Sequence, residues 1–176
     1  PIDSLRLSLE REVEEIRNTL QLSANRDRFT IEARGAVRPD DLQQYMYDVQ
    51  PQIVHFSGHG IGSGATSNDL PSSRKFTVIT ADDAQPEGLM FEDDNGQAKL
   101  VSGTALANLC ALFSGKVVCV VLNACYSAQQ ADEIAKYIPY VIGMNQAIGD
   151  VAARKFSQGF YRAIWDDRSI KEAFAS

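Results

Sequence analysis

Lys116-Val117-Val118-Cys119-Val120-Val121-Leu122 is the most apolar run in the chain, and it is followed by Asn123-Ala124-Cys125-Tyr126-Ser127. Seven residues are too short for a buried helix, and all but Lys116 are apolar, on both strand faces. Such a run reads as a central strand covered on both sides, the usual state of a strand in a parallel sheet. Beyond it, Tyr126 to Ile138 carries Ala131, Ile134, Ala135 and Ile138 at helical spacing, and Pro139 stops the pattern. Tyr140 to Met144 (YVIGM) is a second buried strand, and Asp150 opens an amphipathic helix through Phe156, Phe160 and Ile164. Strand, helix, strand, helix is the signature of a parallel sheet with helices packed on it.

Upstream, the pattern starts with a helix on Leu9, Val13, Ile16 and Leu20, whose other face carries Glu10, Arg11, Glu14, Glu15 and Arg17. Phe29, Ile31 and Ala33 alternate with polar neighbours, which predicts a strand from Arg28 to Ala36. Pro39-Asp40-Asp41 begins a helix through Leu42, Tyr45 and Met46, and Pro51 ends it. Gln52 to Ser57 is another buried strand. Leu89 to Glu92, the Asn95-Gly96 turn and Ala98 to Val101 form a hairpin, and Ser102 caps a helix through Phe113. Between Gly60 and Gly88 lies a stretch rich in Gly, Ser, Asn, Asp and Pro, with one apolar island at Phe76 to Ile79. Connections of that length in compact domains are usually lids, binding loops or disordered insertions.

The whole is 176 residues with 17 basic and 23 acidic side chains, a net charge of −6. This length suits one globular domain. With 44% apolar and 23% charged residues the composition is that of a folded domain. The acidic balance gives no electrostatic footprint for nucleic acid. No run approaches the roughly 20 apolar residues that span a bilayer, and no basic-then-apolar leader opens the sequence. A cytoplasmic domain directed at protein or peptide is the expectation. No internal repeat or dividing linker is visible, so residues 1–176 are read as a single domain. A doubly wound sheet normally has a strand before its first helix. Its absence predicts that this is a piece of a longer multidomain protein.

Three cysteines and two histidines, with no CxxC spacing, exclude a disulfide framework and a zinc set. Cys119 lies inside the central strand, and Cys110 shares an apolar face with Leu106 and Leu109, so both read as core. His55 lies within a strand and reads as a structural histidine. Phe156, Phe160, Tyr161 and Trp165 follow helical spacing and read as core or domain-interface residues. Cys125 and His59 differ, because each lies just past the end of a buried strand, where open α/β sheets gather their ligands. Cys125 also precedes a helix, whose N-terminal N–H groups favour a thiolate. His59 sits between Gly58 and Gly60, which let backbone approach a ligand closely. An imidazole and a thiol on neighbouring strand ends suit nucleophilic acyl transfer, with the backbone amides near Gly60 and Cys125 facing the developing oxyanion. Spacing alone leaves open the simpler reading, in which Cys125 only packs.

The segments IVHFSGHG (Ile53 to Gly60) and VLNACYSAQQA (Val121 to Ala131) resemble the His and Cys motifs of CHAT-domain caspase-like proteases, relatives of separase. The stretches Tyr140 to Ile164, Gly88 to Leu106 and Leu5 to Ile16 resemble the same family, so the likeness covers nearly the whole chain. It implies a caspase-like three-layer α/β sandwich with a mostly parallel sheet, whose first strand lies before residue 1. It implies His59 as the catalytic imidazole, Cys125 as the nucleophile, and the amides of Gly60 and Cys125 as the oxyanion hole, with no metal or cofactor. It further implies a bacterial protease that cuts a protein substrate under the control of a fused or associated sensor, in defence against viruses or in cell death. In separase-like relatives the position matching Asp150 lines the pocket for the residue preceding the scissile bond. A carboxylate there would favour Arg or Lys; the competing reading of Asp150 is a helix N-cap. Asn145 and Gln146, at a strand end near the inferred cleft, are expected to touch substrate backbone. Asn123 and Ser127 flank the nucleophile and are expected to steady it or simply to bond local backbone. The Gly60 to Gly88 connection is longer than the usual loop of the family, and Arg74-Lys75 within it is a candidate self-cleavage site. Two other readings compete: a catalytically silent interaction module, and a thiol-dependent hydrolase of small molecules.

Overall fold

The central strand is where the sequence puts it. In the computed structural model, which describes residues 2–35, 37–61, 87–93, 95 and 97–176, β5 (Cys119–Asn123) is buried at every position. It lies between β1 (Ile53–Ser57) and β6 (Tyr140–Ile142), parallel to both, in the order β1-β5-β6. Val120 and Leu122 face a cluster with Leu106, Ala107 and Cys110, while Cys119 and Val121 on the opposite face have no exposed surface at all. Cover on both faces explains why the run is uniformly apolar instead of alternating. β6 is shorter and wetter than expected: Tyr140, at the sheet edge, is exposed.

These strands belong to a unit formed by residues 36–147. It also holds α2 (Pro39–Val49), α3 (Gly103–Ala111) and α4 (Ala128–Ile134). Pro39 occupies the first turn of α2, where its missing N–H costs nothing. Ser102 caps α3 by accepting from the Ala105 amide at 3.3 Å, as its position predicts. A second sheet, antiparallel, has the order β2-β3-β4, with β2 (Gly60–Ile61), β3 (Gly88–Glu92) and β4 (Ala98–Val101). The β3–β4 hairpin is the expected one. β2 was not foreseen: it brings the two ends of the long connection together by pairing Gly60 with Leu89 and Ile61 with Gly88. The Phe76 to Ile79 island and Arg74-Lys75 lie outside the described residues.

The other unit comprises residues 1–35 and 148–176. In it α1 (Ile2–Gln21) packs on α5 (Asp150–Trp165), which is followed by α6 (Ile170–Ala175). Ile16 is buried as the pattern predicts, but Leu9 is exposed, and Glu12 is buried instead, accepting a hydrogen bond from Ser157 of α5. Trp165 is locked by an edge contact with Phe29 at 4.6 Å and donates from Nε1 to Thr19 at 3.1 Å. The strand expected from Arg28 to Ala36 does not form. Arg26–Arg28 make a single 3-10 turn, and residues 29–34 have no sheet partner among the described residues. The alternation was real, since Phe29, Ile31 and Ala33 are half-buried while Thr30, Glu32 and Arg34 are exposed. It records one covered side, and a ladder of backbone hydrogen bonds is a separate requirement.

Candidate functional site

The parallel pairing of β1 and β5 sets the site. Ser57 is in register with Asn123, so His59 and Cys125 each follow two residues beyond a matched pair. The Gly58 amide donates to the Asn123 carbonyl at 3.4 Å, extending the pairing past the strand ends. One residue further, the approach becomes closer than any side chain allows: a Cβ on Gly60 would stand 2.1 Å from the Cys125 carbonyl oxygen. The segment with His59 and the segment with Cys125 are therefore neighbours in space, and glycine at 60 is a steric requirement. His59 is exposed and Cys125 half-buried, and the His59 carbonyl accepts from the Met90 amide at 2.9 Å.

The turn after Cys125 differs from the sequence reading, which ran the helix from Tyr126. α4 begins at Ala128, because Tyr126 takes the left-handed conformation with φ 54°. For a residue with a Cβ this costs roughly 1–2 kcal/mol. Two other described non-glycine residues have positive φ, Gln50 and Asp167. Both follow helix ends, where that conformation is routine. Tyr126 is held there from the β6–α5 side: its amide donates to the Gln146 carbonyl at 3.4 Å, and the Ala128 amide donates to the Met144 carbonyl at 3.0 Å. Nothing in the sequence announces this, since Tyr is not a left-handed residue by habit.

Ser127 is fully buried and precedes α4 without capping it. Its hydroxyl instead donates to the Leu122 carbonyl and accepts from the Met144 amide, both at 2.9 Å. One side chain thus satisfies a carbonyl of β5 and an amide past β6, across the turn that carries Cys125. Replacing Ser127 by alanine leaves both buried backbone groups without this partner, at a cost of about 1–3 kcal/mol. A thermal melt of the S127A variant should show a midpoint several degrees lower; an unchanged midpoint would show the bridge to be idle.

Asn145 and Gln146 are exposed, and the main chain of Gln146 is the part engaged with the Cys125 turn. Asp150 belongs to the other unit and is exposed at the first position of α5. The cap is Gly149, with no side-chain capping bond, so the N-cap reading of Asp150 is corrected. Its carboxylate can still interact favourably with the helix dipole from the first turn.

The thiols separate as expected. Burial pushes Cys110 up to about 11 and Cys119 to about 12, so at neutral pH only about one in 10⁴ or fewer of these groups is a thiolate. Iodoacetamide applied to the native protein should label Cys125 and spare both others; peptide mapping that finds Cys119 labelled first would contradict the packing. Among the described residues no group of three or more His, Cys, Asp or Glu side chains is placed to hold a metal ion, and no helix is long and apolar enough to cross a membrane.

The CHAT domain family model covers residues 5–176, and the chain belongs to that family. A protein of Gillisia limnaea described as a probable protease is 25% identical over 168 residues, which are 94% of this chain and 26% of that protein. A Roc-COR-CHAT protease from an unknown prokaryotic organism is 23% identical over 163 residues, 89% of this chain and 13% of that protein. The chain therefore spans only about a quarter and an eighth of the length of these curated relatives.

Proposed function

We propose that this chain is the protease domain of a larger protein, a cysteine endopeptidase that cuts a protein substrate through Cys125 and His59. The observation that carries the reading is the close approach of Gly60 to the Cys125 carbonyl, which joins the two strand ends bearing His59 and Cys125. In this mechanism His59 takes the Cys125 proton, and the thiolate adds to the scissile carbonyl carbon. The amides of Gly60 and Cys125 stabilise the oxyanion. The C–N bond then breaks as the imidazolium gives its proton to the leaving amine. Water, deprotonated by His59, releases the acyl group and restores the thiol. Asn145 and Gln146 contact substrate backbone, and Asp150 selects a basic residue before the cut. The domain works without metal or cofactor in the bacterial cytoplasm, and a fused or associated sensor switches it on in antiviral defence or cell death. The Roc-COR-CHAT name of one relative supports a multidomain setting.

The test is a randomised peptide library incubated with the full-length protein, with its C125A and H59A variants as controls, and cut sites mapped by mass spectrometry. Cysteine-dependent cuts after Arg or Lys support the protease and Asp150 together. Cuts after apolar residues keep the protease and remove that role from Asp150. No cysteine-dependent cut from the activated protein points to the alternative, a silent caspase-like interaction module.

A further inference from the structure

Tyr126 carries two costs that a small residue in the same turn would avoid. Its backbone is left-handed although it has a Cβ, and its side chain is 47% exposed although it is aromatic. Gly or Asn would make the same turn with less strain. Among the described residues its ring stacks on no aromatic and its hydroxyl has no hydrogen-bond partner. Its position, by contrast, is well determined. The amides of Tyr126 and Ala128 are tied to the Gln146 and Met144 carbonyls, and Ser127 is pinned to Leu122 and Met144. The preceding carbonyl, that of Cys125, abuts Gly60. A large ring is thus displayed from a rigid turn, one residue after the thiol, where a small residue would suit the backbone better. Strain of this kind at a site with reactive groups is a recognised mark of function.

We propose that Tyr126 is a specificity-determining residue, whose ring contacts an apolar or aromatic substrate side chain within two residues of the scissile bond. This rests on the reading of Cys125 as the nucleophile. Burial against an exposed ring rewards an apolar partner and gives little to a small or strongly hydrated one. It acts separately from Asp150, so a basic residue before the cut and an apolar neighbour are compatible.

Two measurements on the full-length protein test it. In the first, cleavage of the randomised library is compared for wild type, Y126F and Y126A. In the second, the rate at which Cys125 is labelled is measured with peptidyl acyloxymethyl ketones, carrying phenylalanine or glycine at either of the two positions before the warhead. Y126F should keep the wild-type preference, and Y126A should flatten it about tenfold at one position. Iodoacetamide labelling of Cys125 should stay within about twofold, showing that the nucleophile itself is undisturbed. Y126N, suited to left-handed backbone, is a second ring-removing variant should Y126A fold poorly. Preferences that are the same with and without the ring, in both measurements, overturn the proposal. The labelling assay separates this failure from that of the protease reading: labelling that tracks the ring in a protein that cuts nothing supports Tyr126 and counts against turnover.

Discussion

Substituting alanine for Cys125 is expected to reduce peptide cleavage by the full-length protein by about 10⁴-fold or more, equivalent to about 5.5 kcal/mol of lost transition-state stabilisation. The effect is large because the proposed mechanism is covalent: without the thiolate, no acyl-enzyme forms and water would have to attack the peptide carbonyl directly. The fold should tolerate the change. Cys125 is half-buried, and the bonds that shape its turn are made by the backbone and by Ser127. Removing a partly exposed sulfur from such a position changes stability by about 1 kcal/mol or less. The two effects are read independently, by kcat/KM on a cleaved peptide and by denaturant midpoint. Loss of activity with a preserved midpoint supports a nucleophile. Loss of both would make Cys125 structural, and cleavage that survives in C125A would end the assignment. C119A serves as the contrast: its thiol is fully enclosed in β5, so its loss should lower the midpoint and leave kcat/KM nearly intact.

How far the sequence could be read depended on whether one segment carried its own explanation. β5 did: seven residues without a polar side chain beyond Lys116 leave few alternatives to a strand covered on both faces, and that is where Cys119 to Leu122 lie. The strand ends then followed, and with them His59 and Cys125 as neighbours. The Arg28–Ala36 segment shows the opposite case. Its alternation reports that Phe29, Ile31 and Ala33 turn to one side, yet the edge contact of Phe29 with Trp165 comes from a helix more than a hundred residues away. Periodicity sees the covered side but not what covers it. Tyr126 was illegible for a different reason. Its left-handed backbone is imposed by hydrogen bonds that the Tyr126 and Ala128 amides donate to the Gln146 and Met144 carbonyls, so local propensity argued for continuing the helix and lost to tertiary contact. The position of Ser127 beside Cys125 suggests a local support, whereas its bond with the Met144 amide is a tertiary contact that no local pattern encodes.

Gly60→Ala should be among the most damaging single-methyl changes at the described glycines of unit 36–147. The new Cβ would lie 2.1 Å from the Cys125 carbonyl oxygen and 3.4 Å from Leu89 Cδ2. The first figure is far inside contact distance, and neither backbone can easily withdraw. Gly60 is fixed by pairing with Leu89, and the neighbouring His59 carbonyl accepts from Met90. The Cys125 turn is fixed by the Ser127 bridge and by the Gln146 and Met144 carbonyls. The clash must separate β2 from β5's end or rotate the Cys125–Tyr126 peptide, at a cost of about 3 kcal/mol, the upper part of the range for overpacking. Either movement also misplaces the thiol and the two amides proposed to face the oxyanion, so kcat/KM should fall by about 10²-fold beyond any loss of folded protein. Gly58→Ala is the matched control. Its Cβ meets only the far edge of the Phe56 ring, at 2.9 Å, and a ring can swing where a peptide cannot. Its midpoint should drop by less than half as much. If G60A and G58A prove equally mild in both midpoint and kcat/KM, the close approach of residue 60 to Cys125 is wrong, and with it the geometric basis for joining His59 to the thiol.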